Sequence, residues 1–420
     1  MQFSPNLKRY ITSIITTSAI AFSTQIFAGG FQLWEQDAAD TGDYHAGAAA
    51  EANNAASVFY NAANATHIKH QQISFGTTFI PLDVSFTGTA NGIPVNNASG
   101  DTFNIVPNFS YVLPIDHNKW AFAFSTTSPF GLATSYEDTS YVNLLATKTE
   151  LDTVNLNPSV AYAVNRYLSL GVGFDALYGQ ATYNSDVFQP LTTDLSGWNV
   201  GYNAGVLMQF TPETRMGLSY RSAITVTAKG NSQSTSIFTG LPITSTASAQ
   251  FPLPATTILS LYHNFNSRFT MMASAFYTQW SVFKELIIQN ITTPTGTGTV
   301  ALNEDYRNTW NLALGGKYKL NNHFSLEAGV GHDETPTRLG YRDIRLPDNN
   351  RYAASLGVNI EPKPGFVWNI GWTHFFVPTT LVNNTLSNDT SKTTTIAPAI
   401  GLGTVHGDAN VFGIQFSCDI

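Results

Sequence analysis

The stretch WNLALGGKYKLNNHFSLEAGVGHD, residues 310–333, contains the pattern that decides the fold. Its large apolar side chains occupy even-numbered positions, at Trp310, Leu312, Leu314, Tyr318, Phe324, Leu326 and Val330. Successive side chains of a β-strand point to opposite faces, so each half predicts a strand with one apolar and one polar face. The short segment 319–323 between the two halves predicts a tight turn and therefore an antiparallel hairpin.

The same period of two recurs along the chain after residue 70. We predict about fourteen strands, at 71–86, 103–113, 119–128, 148–164, 168–184, 198–210, 215–228, 251–263, 269–288, 306–318, 324–333, 351–360, 366–377 and 409–418. An even number of strands is typical of the single-chain β-barrels of bacterial outer membranes.

The connections between these strands alternate strictly between short and long. The short ones are 114–118, 165–167, 211–214, 264–268, 319–323 and 361–365, and the long ones are 87–102, 129–147, 185–197, 229–250, 289–305, 334–350 and 378–408. Outer-membrane barrels have tight periplasmic turns and long outer loops, whereas a water-soluble sandwich has no reason to sort its connections. Lipid cannot satisfy an open sheet edge, so the sheet must close. We predict an all-β fold, a 14-stranded antiparallel transmembrane β-barrel.

The composition fits that architecture. Only 11% of the residues are charged, 43% are hydrophobic and the mean hydropathy is -0.05, so uncharged side chains supply the polarity. This excludes a helical membrane protein, a coiled coil and a disordered chain. The net charge of -8 and the absence of a basic patch argue against nucleic acid as a partner. The single cysteine, Cys418, excludes an internal disulfide.

The N-terminus predicts two segments that precede the barrel. Lys8 and Arg9, an apolar stretch and the small residue Ala28 follow the order of a secretory signal, so residues 1–28 are predicted to be cleaved. Cleavage at Ser23 and a buried first helix are the alternatives. Residues 29–68 are Ala-rich and predict a small helical plug in the lumen, with a periplasmic tail as the alternative, while residues 69–420 form the barrel.

Several motifs occur in an order that resembles a known family. They are Gly29–Leu33, Ser128–Thr134, Gly217–Ser222, Leu253–Pro254, Trp280–Phe283, Asp333–Pro336 and Leu346–Arg351. The chain resembles the FadL type of long-chain fatty-acid transporter, a family of Gram-negative outer membranes that includes importers of aromatic hydrocarbons. It departs from the family at Asn61, Ala62 and Ala63, where the plug usually has Asn-Pro-Ala, and at Ile420, where an aromatic residue usually signals to the barrel-assembly machinery.

The resemblance implies passive transport without an energy source. Hydrophobic ligand is captured at outer loops, passes to a lumenal pocket and leaves sideways through a kinked third strand. Pro129, Phe130 and Gly131 are the candidate gate. Pro129 lacks the amide hydrogen that a strand ladder needs, and Gly131 permits a bulge or a sharp bend. The alternative is that Pro129 only ends the strand at a loop.

The resemblance also suggests ligand-binding residues. Arg307 matches a basic position of the family, and by parity with Asn311 and Lys317 we predict that it faces the lumen, where an arginine would pair with a carboxylate. The alternative is a structural pair of Arg307 with Glu304 or Asp305. Gln180 stands where a relative has a second arginine, which leaves neutral hydrocarbons open as ligands. Phe31 and Leu33 are expected to reach into the pocket and move when ligand binds.

Other readings of the sequence follow from what it lacks. It contains no serine-hydrolase elbow, phosphate-binding loop or dinucleotide fingerprint, and no metal-ligand spacing around His67 and His70, so we predict no enzyme activity, cofactor or metal. Arg221 is expected to be structural. Arg338, Arg342 and Arg345 are expected to be solvated in an outer loop, with contact to lipopolysaccharide phosphates or attraction of ligand as the alternatives. An aromatic-hydrocarbon importer, a general porin and a surface adhesin are the rival functions. The predicted protein is a monomer in the outer membrane, surrounded by its lipid.

Overall fold

The structure is a computed structural model that describes residues 29–117, 119–136, 140–186, 189–393 and 399–420. The predicted signal peptide therefore lies outside the described residues. The strands are β1 (Gln72–Ala90), β2 (Ile93–Ser99), β3 (Thr102–Ile115), β4 (Trp120–Thr127), β5 (Gly131–Ser135), β6 (Lys148–Asn165), β7 (Leu168–Tyr183), β8 (Ser185–Asp186), β9 (Pro190–Thr211), β10 (Thr214–Arg221), β11 (Ile224–Thr235), β12 (Pro242–Leu253), β13 (Thr256–Asn264), β14 (Phe269–Thr278), β15 (Glu285–Thr293), β16 (Gly296–Asn303), β17 (Thr309–Lys319), β18 (Phe324–Asp333), β19 (Arg351–Lys363), β20 (Phe366–Phe376), β21 (Thr380–Asn383) and β22 (Gly401–Asp419). The 3₁₀ helices are η1 (Ala38–Asp43), η2 (Ala55–Val58), η3 (Ala62–His67), η4 (Tyr141–Leu144) and η5 (Trp280–Val282).

These strands build a closed antiparallel barrel, as the sequence predicts. Its wall has 14 strands, because six of them are each made of two consecutive segments, as in β4 with β5, and β2 and β8 only extend the outer loops. Closure comes from β1 and β22, which pair from Gln72 with Asp419 to Ala90 with Gly401. A closed sheet leaves no edge strand with unpaired backbone groups in the lipid.

The alternating pattern sorts side chains between lipid and lumen. On β17, the side chains of Trp310, Leu312 and Leu314 are 44–49% exposed on the outer face, whereas Asn311 and Ala313 are buried inside. The prediction from the opening hairpin is therefore confirmed. Of the helices in the described part of the chain, none combines the length and the apolarity needed to cross a bilayer.

The N-terminal segment fills the lumen as a plug, which confirms the fold prediction. Its 3₁₀ helices begin at Asp37, Asn54 and Asn61, whose side chains accept hydrogen bonds from the backbone amides two residues later. Two wall glycines let the plug approach closely, since a Cβ on Gly217 would lie 1.8 Å from the carbonyl oxygen of Ala49 and one on Gly329 would lie 2.2 Å from that of Asp43. The plug backbone therefore lies directly against the wall.

Candidate functional site

The third strand of the wall is broken. Its ladder with β3 ends at the pair Phe109–Thr126, and the strand resumes at Gly131 as β5. Among the described residues, β5 pairs with β6 and has no ladder with β3. The outer half of β3 therefore lies beside β5 in the wall, but no ladder of hydrogen bonds joins these two segments.

The start of the plug supplies the hydrogen bonds that the broken strand lacks. The amide of Leu33 donates to the carbonyl of Pro129 at 2.9 Å, and the amide of Gly131 donates to the carbonyl of Phe31 at 2.8 Å. The side chain of Gln36 completes this contact, because its Nε2 donates to the carbonyl of Ser128 at 2.7 Å and its Oε1 accepts from the Ser128 amide at 2.6 Å. Pro129 thus lies within an interrupted wall strand that continues beyond it, and the plug holds the interruption.

An aromatic cluster joins the plug to this break. The ring of Phe31 is 4% exposed and lies 4.6 Å from Trp280, 5.5 Å from Phe283 and 6.3 Å from Phe130, measured between ring centroids. Each pair is edge-to-face, the arrangement that aromatic quadrupoles favour. Leu33 is buried as well. Any displacement of Phe31 must therefore disturb the ring of Phe130 in the break.

An apolar cavity of about 90 Å³ lies beside Phe31 in the half of the barrel that carries the long loops. Leu132 of β5, Leu151 of β6, Phe251 of β12 and Ile288 of β15 are among the apolar residues that line it. Most of the other side chains around it are also hydrocarbon or aromatic, and the polar ones belong to Thr149, Glu150 and Thr182. The cavity is chemically suited to an apolar molecule.

One cation lies at the rim of this cavity, and it was not among the predicted ligand residues. Arg345 is only 8% exposed, so the expectation of a solvated loop arginine was wrong. Its Nη1 donates to Oγ1 of Thr149 at 2.6 Å, and its guanidinium carbon lies 4.0 Å above the ring of Tyr183. Thr149 and Tyr183 both line the cavity. The long loop that carries Arg345 folds back into the barrel, which local sequence patterns do not indicate.

Neither Arg307 nor Gln180 is among the residues that line the cavity beside Phe31. Arg307 precedes β17, so the parity of that strand does not extend to it; it is exposed and its Nε donates to the carbonyl of Thr335 at 3.0 Å. Asp305 instead pairs with Lys284 at 3.0 Å and Arg338 at 3.3 Å. Gln180 alternates with the inward-facing Leu177 on β7 and so shares the outer face.

The remaining residues singled out in the sequence secure the plug. Asn61 begins η3, and its Nδ2 donates to the carbonyls of Ala49 at 2.8 Å and Val206 at 3.0 Å. Ala62 and Ala63 pack directly against Gly171 of the wall, where a Cβ would collide with their backbone. Arg221 pairs with the buried Asp175 and donates to the carbonyl of Phe59 in the plug at 2.8 Å.

The loop that carries Arg345 also holds the beginning of the plug. Asp348 is fully buried and accepts hydrogen bonds from the amide of Gly30 at 3.1 Å and from Oγ1 of Thr335. Burial, reinforced by the nearby charge of Asp333, raises the pKa of the Asp348 carboxyl to about 7. The contact between the plug and this loop therefore includes a carboxyl group that titrates near neutral pH.

A break in the third strand, a lumenal plug that bonds to it and an apolar cavity beside both define the site. Residues 19–419 match the family model described as outer membrane protein transport protein (OMPP1/FadL/TodX). The chain belongs to this family. It is accordingly a multi-strand β-barrel of the outer membrane.

Two named proteins of other bacteria are similar to this chain over most of its length. The chain is 30% identical to a long-chain fatty acid transport protein of Escherichia coli O6:H1 over 82% of the chain and 87% of that protein. It is 26% identical to outer membrane protein P1 of Haemophilus influenzae over 88% of the chain and 90% of that protein.

Solved structures of the family share the fold. A FadL homologue of Pseudomonas aeruginosa superposes with a TM-score of 0.82 at 23% identity, over 93% of this chain and 100% of that one. The toluene transporter TbuX of Ralstonia pickettii superposes with a TM-score of 0.70 at 16% identity, over 91% of this chain and 97% of that one. At these identities the likeness shows the fold alone.

Proposed function

We propose that this protein carries long-chain fatty acids or similar hydrophobic molecules passively across the outer membrane. The ligand is captured at the outer loops, enters the cavity beside Phe31 and leaves sideways through the break at Pro129, Phe130 and Gly131. The observation that carries the proposal is the contact of the plug with both the cavity and the break. Through Phe31, a ligand that occupies the cavity acts on the same segment that holds the broken strand.

Movement of Phe31 is required by size. A cavity of about 90 Å³ is well below the roughly 300–1,000 Å³ of ordinary small-molecule pockets, so it is too small for a long acyl chain. The ring of Phe31 borders this space, so its displacement together with Leu33 enlarges the cavity along the plug. The displacement also moves the carbonyl of Phe31 away from the amide of Gly131, so the wall strand at the break loses this hydrogen bond to the plug.

Arg345 is the residue that we propose for the carboxylate end of such a ligand. Its charge lies at the rim of the cavity, and its nearest carboxylate, on Asp343, is 3.9 Å from its Nε. The groups that its Nη atoms contact are neutral oxygens of Thr149, Asn184 and Leu145. Charge-assisted hydrogen bonds to a carboxylate are stronger than those to neutral acceptors, so a fatty-acid head group can displace them.

Aromatic hydrocarbons are the second candidate ligand. The cavity has an almost wholly apolar lining, and a neutral ring needs no cationic partner. The resemblance in fold to toluene transporters is compatible with this alternative. The two ligands differ in their dependence on Arg345, which makes them separable by experiment.

Uptake of labelled oleate and labelled toluene in a strain without its own transporter tests the proposal. Cells with this protein should accumulate at least one of the two faster than cells with an empty vector, and equal rates for both ligands would refute it. A double variant, Pro129→Val with Gly131→Val, restores strand-forming residues at the break and should abolish uptake. Pro158→Val on β6 is the matched control, because this proline lies in a continuous ladder with β4, and its uptake should be normal.

We further propose that the protein acts as a monomer without catalytic activity, in contact with lipopolysaccharide through its outer loops, after insertion by the barrel-assembly machinery. The closed wall supports the monomer, since no strand edge needs a second copy. Blue-native electrophoresis in detergent should therefore show one copy per particle.

A further inference from the structure

Three carboxylates of the plug converge below the aromatic cluster, on the side of the short turns. Asp40 and Asp43 belong to η1 and Glu51 follows it, and none is more than 4% exposed. One oxygen atom of each lies within 4.8 Å of the others. Such a spacing allows one small cation to touch all three.

The charges of this group are not balanced by the described residues around it. Lys317 of β17 places its Nζ 2.7 Å from Glu51, 3.2 Å from Asp43 and 3.2 Å from Glu327 on β18. Asp40 makes no ion pair with any described cation, and one of its oxygens is buried without a hydrogen bond.

Glu327 is an independent sign that a ligand belongs here. It comes from the wall rather than from the plug and is 3% exposed; its Oε1 pairs with Nζ of Lys317 at 3.2 Å, whereas its Oε2 has no hydrogen-bond donor. Its Oε2 points at the plug, since it lies 2.8 Å from the position that a Cβ on Gly42 would take, between Asp40 and Asp43. Buried carboxylate oxygens normally have donors, so this one calls for an explanation.

A polar cavity reaches the edge of the group from the side of the short turns, which faces the periplasm in barrels of this kind. Its volume is about 260 Å³, and Lys317 and Glu327 line it together with Asn266, Arg268 and Lys319 of the turns and adjoining strands. A hydrated ion can therefore reach Glu327, at the edge of the group, without crossing the apolar cavity.

We propose that Asp40, Asp43, Glu51 and Glu327 form a binding site for a hard divalent cation, with Ca²⁺ as the preferred ion. All four offer oxygen ligands, and Ca²⁺ accepts six to eight oxygens in flexible geometry, whereas Mg²⁺ demands a strict octahedron. The ion joins the plug to β18 of the wall and offsets charges that Lys317 alone does not. Its site lies apart from the cavity beside Phe31, so it secures the plug and does not contact the transported molecule.

The test uses full-length protein refolded in detergent without lipopolysaccharide, whose phosphates would bind the ion themselves. After treatment with EDTA, isothermal titration with CaCl₂ should show one saturable site per chain, and MgCl₂ should compete only weakly. The variant D40N/D43N should weaken binding by more than roughly tenfold, the loss that even outer-shell changes cause at metal sites. Glu327→Gln, a single change in the wall, should do the same if the double variant fails to fold.

The matched control is Asp348→Asn, which changes an equally buried carboxyl in the outer loop, away from the four ligands. It should bind Ca²⁺ as the unchanged protein does. The proposal is overturned if the unchanged protein shows no saturable heat, in which case the carboxylates carry protons only. It is also overturned if Glu327→Gln binds normally or if Asp348→Asn loses binding to the same extent.

Discussion

Replacing Gln36 with leucine should release the break in the third strand. The Gln36 side chain is fully buried and acts as a strand partner for Ser128, donating to its carbonyl and accepting from its amide. Leucine has a similar size but offers neither group. In the variant, the plug stays in place with two backbone polar groups of the wall left without partners.

The structure sets the size of the effect. A buried polar group that loses its partner costs about 1–3 kcal/mol, so the two groups of Ser128 together cost about 2–6 kcal/mol. Each 1.4 kcal/mol is a factor of ten in an equilibrium constant, so even the lower value makes local opening about thirtyfold more frequent. The hydrogen bond from the Gly131 amide to Phe31 belongs to the same contact and should weaken with it.

Amide hydrogen exchange followed by mass spectrometry measures that opening. The amides of Ser128 and Gly131 should exchange about thirtyfold faster in Gln36→Leu, while those of the β6–β7 ladder keep their protection. Gln415→Leu is the matched control, because Gln415 is equally buried in the lumen but bonds to Asn54 and Asn108, away from the break. Unchanged exchange at Ser128, or an equal acceleration in the control, would refute the role assigned to Gln36.

Three further predictions concern the cavity and the loop around it. Phe31→Ala should destabilise the packing of the start of the plug by about 3–5 kcal/mol, the usual cost of truncating a buried phenylalanine. Because Phe31 contacts the buried Trp280, the tryptophan fluorescence should shift to the red, and an unchanged spectrum would contradict this packing. Arg345→Ala should slow uptake of oleate and spare that of toluene, whereas the half-exposed Arg338→Ala should alter neither; equal loss of both ligands would remove Arg345 from carboxylate binding. Since the folded pKa of Asp348 is raised to about 7 from 3.8, the folded state holds the proton more tightly, so docking of residues 29–36 is strongest below pH 4 and weakens as the pH rises to 7. The protection factors of that segment, which correct for the intrinsic pH dependence of amide exchange, should follow this trend in the unchanged protein and lose it in Asp348→Asn.

The sequence predicts the wall better than it predicts the site. Alternation identified the lipid face of β17 because side-chain direction along a strand is a local property of the backbone. It does not extend to Arg307, which stands two residues before the strand begins. Gln180 was singled out from the resemblance, and the parity of β7 places it on the outer face. Arg345 was missed because its burial depends on how a long loop folds back.

By itself, the amino-acid sequence determined the closed barrel, its order of short turns and long loops, and the presence of a plug, since each follows from the period of two, from loop lengths or from composition. Only the tertiary structure decided which groups meet. Gln36 reaches Ser128, Arg345 reaches Thr149, and Glu327 faces η1 across 92, 196 and nearly 300 residues of chain. Contacts between such distant positions arise from closing the barrel around the plug, and no local pattern carries them.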